Sequence, residues 1–371
     1  MNVETEFSRV TIVGVGLMGG SFGLATKNFF PGATVVGMDY ESEINKALRR
    51  GAVDEGYGTG ELKDATRNSD LIVLATPIDE IFAVLEDLAA IPVKGAVIVD
   101  LGSTKREVCS AGWSTFADTT AEFVGGHPMT GAEIRGISGA HPLLFENSVF
   151  VLSTPQGDST PGSRRLESFI SGLGADPLYL DPDRHDSIVA RVSHLPQLIS
   201  IGLMEVVGYK DNPGEYLSLA GGGFRDMTRI ADSPFGIWED IFRTNGDFIE
   251  EAGEDFIAAL REIVESVRRE DELEEVFEEA SRLRDELPKS SKGISSSTFK
   301  VAVMIPDRPG ALGELTSALG ERGINIRDLE LQKVREDYGG TFQVYFDSLE
   351  AAREANRVIM NCGFESRVVD L

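Results

Sequence analysis

The chain has 371 residues, a length that as a prior accommodates two or three domains. Hydrophobic residues make up 42% of it, which excludes a disordered, collagenous or small disulfide-stapled protein. Its formal net charge is −26, and a field of that sign speaks against nucleic acid or anionic membrane as a partner, because both are held by Lys and Arg clusters.

From residue 9 to about 180, short apolar runs alternate with helical stretches. The runs are RVTIVGVG, ATVVGMD, DLIVLATP, GAVIVDLG, AEFVGGHP and SVFVLSTP. They are nearly continuous in Val and Ile and end in Gly, Pro, Thr or Asp, the pattern of strands buried on both faces of a parallel sheet. Alternation with helices predicts right-handed βαβ units in a doubly wound, Rossmann-type α/β domain over residues 1–180.

After Asp181 the texture becomes helical. An apolar helix is predicted from His185 to Gly208, and two more over 235–250 and 253–287, with apolar residues at three-to-four spacing. The outer face of the last stretch is acidic: residues 250–289 hold 15 acids against 6 bases. A solvated helix face accounts for that charge. Residues 181–287 therefore read as an all-helical domain. Residues 288–297 (PKSSKGISSS) read as a linker. Residues 298–371 follow the order strand, helix (309–322), strand (324–333), strand, helix (348–361), strand, the ferredoxin-like βαββαβ motif. The two cysteines, Cys109 and Cys362, have no metal-type spacing and read as reduced thiols. The start lacks a basic-then-apolar leader and no run of about 18 apolar residues occurs, so a soluble cytoplasmic protein is expected.

The first strand runs into Gly14-Val15-Gly16-Leu17-Met18-Gly19 and then a helix, and the second strand ends in Asp39. A glycine fingerprint between strand and helix, followed by an acid about 20 residues on, is the context that makes it a dinucleotide site. Gly14 permits the turn, Gly16 admits the pyrophosphate, Gly19 lets helix pack on strand, and the helix N-terminus favours the phosphates. Asp39 suits an adenine-ribose 2′-hydroxyl and repels a 2′-phosphate, so NAD is expected rather than NADP. Thr76 and Pro77 end a third strand at the same edge.

Reactive side chains collect where the strands end. Ser103 follows GAVIVD, either as a functional hydroxyl or as a helix N-cap. His127 stands between Gly126 and Pro128 at a strand end, poorly suited to filling a core and well placed for catalysis. Along the apolar helix, Arg191, His194 and Gln197 recur at three-residue steps around Pro196. They line a substrate pocket or form a structural network. Then Gly221-Gly222-Gly223-Phe224-Arg225-Asp226-Met227-Thr228-Arg229 suits a tight turn presenting guanidinium groups to carboxylates, or an ion-pair cluster.

Taken in order, GVGLMGGSFGLA, DLGSTK, GGHPMTGAEIRG, VSHLPQ and GGGFRDMTRIADSPFGIWEDIF resemble the prephenate dehydrogenase family, and IPDRPGALGELTSALGERGINI resembles an ACT domain. The resemblance spans essentially the whole chain. It implies NAD-dependent oxidative decarboxylation of prephenate to 4-hydroxyphenylpyruvate. By matching position it implies His127 as partner of the substrate 4-hydroxyl and Ser103 as its orienter. It also implies Arg229 on a substrate carboxylate, Glu133 and Asp226 as an ionic gate, and His194 on the substrate side. The fold implied is a Rossmann domain, an all-α dimerisation domain that makes a homodimer, and a C-terminal ACT domain. Many members read SHLPH where this chain has Gln197, which keeps arogenate open as a substrate. A β-hydroxyacid dehydrogenase would place a Lys on the apolar helix, and residues 185–208 contain none. A non-catalytic NAD-binding amino-acid sensor would not need Ser103, His127 and Arg229 together. In the tail, Asp307, Arg308, Pro309, Gly310, Ala311 and Leu312 join the first strand to its helix, with Pro309 expected at helix position N1. Gly310 admits a ligand to the backbone and Asn325 starts the next strand. Similarity to ACT domains implies an amino-acid effector there, and pathway logic suggests tyrosine.

Overall fold

The apolar runs become the strands of an eight-stranded sheet in a computed structural model that describes residues 6–131, 136–155, 157, 159–267, 270–287, 299–306, 308–335 and 339–369. The strands are β1 (Arg9–Val13), β2 (Thr34–Met38), β3 (Glu55–Tyr57), β4 (Leu71–Leu74), β5 (Val97–Asp100), β6 (Glu122–Pro128), β7 (Val149–Ser153) and β8 (Asp176–Tyr179). Their spatial order is β3-β2-β1-β4-β5-β6-β7-β8. The order reverses between β1 and β4, the switch point at which open α/β sheets bind ligands. Helices cover both faces, so β4 and β5 are buried along their whole length. One face packs a cluster around Phe22, Phe145 and Phe169 and the other a cluster around Ile72, Leu85 and Ile98. Phe30 stacks on Phe169 with ring centroids 4.6 Å apart.

The sheet departs from the expected parallel arrangement at one place. β6 and β7 pair antiparallel, with His127 opposite Val151. Among the described residues, their connection holds a single 3-10 turn, Ile137–Gly139, rather than the crossover helix a parallel return normally uses. The edge strands β3 and β8 have no apolar run behind them: EGY and DPLY are half-exposed and carry Gly and Pro, which suits edges and hides them from a periodicity reading.

The helical part opens with Pro182–Val189, capped by the Asp181 carboxylate on the N–H groups of Asp183 and Arg184. The apolar helix expected over His185 to Gly208 around Pro196 widens into a π turn over Ala190–His194 and resumes as Leu195–Gly208. The π turn stands immediately before Pro196, whose ring and missing N–H would otherwise disrupt the preceding turn. The glycine triplet is not a presenting turn: Gly222–Thr228 is a helix with Gly221 at its N-cap, followed by the 3-10 turn Arg229–Asp232. The two helices expected next have different limits, Phe235–Ser266 and Glu270–Glu286, and the first is interrupted at Asn245, with φ −134° and ψ 19°. Among the described residues, no helix is long and apolar enough to cross a membrane.

The chain divides into two units, residues 1–287 and 288–371. The second consists of β9 (Phe299–Ile305), the helix Ala311–Glu321, β10 (Asp328–Arg335), β11 (Gly339–Phe346), the helix Leu349–Asn361 and β12 (Glu365–Val369). The strands form an antiparallel sheet in the order β10-β11-β9-β12, as the βαββαβ reading requires. Val301, Val303, Leu315, Leu319, Phe346 and Ile359 form its core.

Candidate active site

The turn after β1 is shaped for close approach. Gly14 sits at φ +91°, a left-handed conformation, and a Cβ there would come 2.8 Å from the Ala75 backbone. A Cβ on Gly19 would overlap the Gly14 carbonyl oxygen, so the helix Leu17–Phe29 packs onto the strand only with glycine at that position. A Cβ on Gly16 would meet nothing within 4 Å; that side of the turn is open. No side chain caps this helix N-terminus, leaving its N–H groups available to an anion. Asp39, just past β2, accepts hydrogen bonds from Val15 N at 2.8 Å and Tyr40 N at 2.7 Å. An open cleft of about 410 Å³ brings Leu17, Met18, Thr76, Pro77 and Ser103 together, with Asp240 and Ile241 of the helical part opposite. Thr76 Oγ1 is buried there without a protein partner. Open glycine turn, uncapped helix end, acid and orphaned hydroxyl all suit a dinucleotide.

Ser103 does not cap the helix Arg106–Phe116. Lys105 occupies the N-cap position without a side-chain cap bond, and the Asp186 carboxylate takes the N–H groups of Lys105 and Arg106 at 2.7 and 2.8 Å. The Ser103 hydroxyl is therefore not spent on capping, and it lies half-buried in the cleft. The loop that carries it is anchored by a fully buried ion pair between Lys105 and Asp100. Asp100 also accepts from Gly102 N at 2.9 Å and Gly126 N at 3.1 Å, tying the ends of β5 and β6 together. Gly126 has to be glycine, because a Cβ there would overlap the Asp100 carbonyl oxygen.

One residue beyond, half-buried His127 points its Nδ1 at His185 Nε2, 2.8 Å away. His185 Nδ1 in turn lies 2.7 Å from Asp186 Oδ1. Burial pushes the His127 ring well below its ordinary value, helped by His185, Lys105 and His194, so it is neutral at pH 7. The interruption at Asn245 brings another polar contact to the same cluster. Its Nδ2 donates to the Asp186 carbonyl at 2.9 Å and lies 3.2 Å from His194 Nδ1. His194 is buried edge-on to Trp238, and desolvation lowers its pKa from 6.5 to about 4. Gln197 is 1% exposed and its Nε2 has no partner; Ser200 Oγ, one turn on, is likewise buried and unpartnered. Buried donors of this kind call for a ligand or another chain.

Other expected residues fall elsewhere. Arg191 faces outward and pairs with Glu251 and Asp255, a structural role. Asp226 and Arg229 are exposed on the Gly222–Asp232 segment rather than in the histidine cluster. Glu133 and Asp307 lie outside the described residues. In the second unit Gly310, at φ +86°, is the N-cap of the helix beginning at Ala311, so Pro309 precedes that cap instead of occupying N1. Arg308 pairs with Glu314 at 2.6 Å, Leu312 is exposed, and Asn325 lies three residues before β10 instead of at its start. Sequence reasoning missed His185, Asp186, Lys105 and Asn245 as members of the cluster. The available signal was Asp183-Arg184-His185-Asp186, a charged run opening an otherwise apolar helix.

A dinucleotide-shaped turn at the switch point, with a neutral histidine held at a neighbouring strand end, defines a nicotinamide-dependent oxidoreductase built on a Rossmann sheet. The comparisons narrow that class. Residues 22–176 match the prephenate dehydrogenase nucleotide-binding domain, 181–280 its dimerization domain and 301–355 the ACT domain. The chain belongs to the prephenate dehydrogenase family of NAD-dependent oxidoreductases. It is 31% identical to the prephenate dehydrogenase of Bacillus subtilis over 362 residues, covering 94% of this chain and 95% of that one. Its fold resembles prephenate dehydrogenase from A. aeolicus in complex with hydroxyphenyl propionate and NAD+ (TM-score 0.70, 29% identity, 78% of this chain and 99% of that one). It also resembles Synechocystis arogenate dehydrogenase (TM-score 0.65, 26% identity, 76% of this chain and 100% of that one).

Proposed function

We propose that the chain oxidises prephenate to 4-hydroxyphenylpyruvate, releasing CO2 and NADH, as a cytoplasmic homodimer inhibited by tyrosine through its ACT domain. The observation that carries the reaction is a neutral His127 at the end of β6, a strand end that the Asp100 carboxylate ties to the loop carrying Ser103. In this reading the ring nitrogen facing away from His185 accepts the hydrogen bond of the substrate's 4-hydroxyl, and Ser103 orients that hydroxyl. Bound NAD, held by Gly14, Gly16, Leu17, Met18, Gly19, Asp39, Thr76 and Pro77, supplies the hydride acceptor. As C4 loses hydride, its oxygen gains positive character and a neutral imidazole draws off the proton. The bond from the ring to its carboxylate breaks, the electron pair completes the aromatic ring, CO2 leaves, and the proton returns to the phenol oxygen. Arg229 receives a substrate carboxylate, with Glu133 and Asp226 beside it, while His194 and Gln197 hold the substrate from the helical side. Steady-state NADH formation with prephenate tests the reading; no turnover of prephenate contradicts it.

A second substrate is favoured by one observation. Gln197 offers a buried Nε2 donor without a partner, neutral where the resembled motif carries a histidine, so it sets no positive charge against the ammonium of arogenate. Comparing kcat/KM for the two substrates decides between them. The regulatory part rests on the second unit, whose segment from Arg308 to Leu312 opens a helix at a left-handed glycine, a backbone turn that admits a small carboxylate. Allosteric coupling of about 1–3 kcal/mol corresponds to a 5–150-fold change in substrate affinity. Deleting residues 288–371 should keep turnover and abolish tyrosine inhibition. Equal inhibition of the truncated enzyme would place tyrosine in the active site.

A further inference from the structure

His127 is backed by a line of buried hydrogen bonds that ends on a helix N-terminus. Asp186 is fully buried and both of its carboxylate oxygens accept, from the Lys105 and Arg106 N–H groups at a helix N-terminus. The contact at 2.7 Å to His185 then requires the proton on His185 Nδ1. A neutral His185 carries its lone pair on Nε2, and the contact at 2.8 Å to His127 Nδ1 is a hydrogen bond only if that nitrogen carries a proton. Each ring thus sets the tautomer of the next, and His127 is left with its lone pair on Nε2.

We propose that His185 and Asp186 are positioning residues that lock His127 as the Nδ1–H tautomer and leave Nε2 as the acceptor for the substrate hydroxyl. The inference deepens the reading of His127 given above and rests on it. The contact between the two rings holds one proton. The charged groups facing them are the Lys105–Asp100 pair on the β5 side and Asp186 at the helix end, while on the helical side Asn245 and His194 face the cluster. Lys105 and burial both oppose a positive charge on His127. Were His185 protonated, its Nε2 would become a donor, His127 Nδ1 would have to accept, and the proton on Nε2 would abolish the acceptor.

The test uses the full-length enzyme with 15N-labelled histidine, whose four rings can be assigned by single substitution. In the wild type at neutral pH, the His127 spectrum should show a protonated Nδ1 and a bare Nε2. His185→Leu should lose that preference and lower kcat by about 10²- to 10⁴-fold, the range for a general base, with the NAD dissociation constant unchanged. His185→Gln can donate to Asp186 and accept from His127 without titrating; it should restore the tautomer and most of the lost kcat. A protonated Nε2 in the wild type overturns the proposal, as does a Gln variant as slow as the Leu variant. The wild-type spectrum decides even where the Leu variant fails to fold. An enzyme inert towards both prephenate and arogenate defeats the functional reading instead, and the tautomer signal then decides the lock by itself.

Discussion

The sheet and the helical part of the first unit solve burial differently. Around the sheet, two clusters close on themselves and strands such as β4 are buried at every residue. The helical part builds a smaller buried cluster around Ala190, Ile241, Ile249 and Ala252. It leaves Val264 61%, Phe277 68% and Leu219 85% exposed. Large apolar side chains left in solvent on several elements of one part suit an interface. The lesson is a division of labour. The sheet closes its own core, whereas the helical face stays open within one chain, in keeping with its match to a dimerization domain.

The largest expected effect breaks that contrast. If the proposed homodimer uses this face, Val264→Asp with Phe277→Asp should sediment as a monomer, since charges at the core of an interface are disfavoured and each buried apolar anchor contributes on the order of 2 kcal/mol. A variant that stays dimeric would place the interface elsewhere. Next comes acid stability. His194 protonates at about 4 in the folded chain, below its ordinary 6.5, so between those values the unfolded chain binds more protons. Stability is full above pH ~6.5 and falls by on the order of 3 kcal/mol as pH drops through that window; His127 acts in the same direction. His194→Gln should flatten the decline in denaturant midpoints. Arg229→Ala should raise KM for prephenate about 10- to 100-fold, the worth of one charge-assisted hydrogen-bonded partner, and an unchanged KM would assign Arg229 to structure. Smallest, Asp39→Ser with Tyr40→Arg should lower kcat/KM for NAD about tenfold and raise it for NADP, leaving KM for prephenate alone. A wild type that already prefers NADP would overturn the reading of Asp39.

The same contrast explains what was legible in the sequence. Strands buried on both faces announce themselves as unbroken Val and Ile runs, so β1, β2, β4, β5, β6 and β7 could be read. β3 and β8 pack one face only and could not. The antiparallel turn between β6 and β7 is a matter of chain direction, which local patterning does not encode. Gly14 and Gly19 were readable because each sits in a local motif whose neighbours require glycine. His185 was not, because its meaning comes from a residue 58 positions away, and Asn245 was not, because its contacts reach back to Asp186 and His194 across a break in its own helix. Arg229, expected as a pocket residue, lies exposed within one chain.

The proposed reaction requires a neutral imidazole at the end of β6. The most direct measurement is the pH profile of kcat/KM for prephenate, followed as NADH formation, in the wild type and in His127→Asn. A histidine held below its ordinary 6.5 should keep the wild type active well into acid, with the fall-off beginning clearly below pH 6.5. His127→Asn should lose about a hundredfold or more in kcat at every pH and show no such fall-off. A wild-type profile that declines at or above pH 6.5, or an Asn variant that keeps the wild-type kcat, would contradict it.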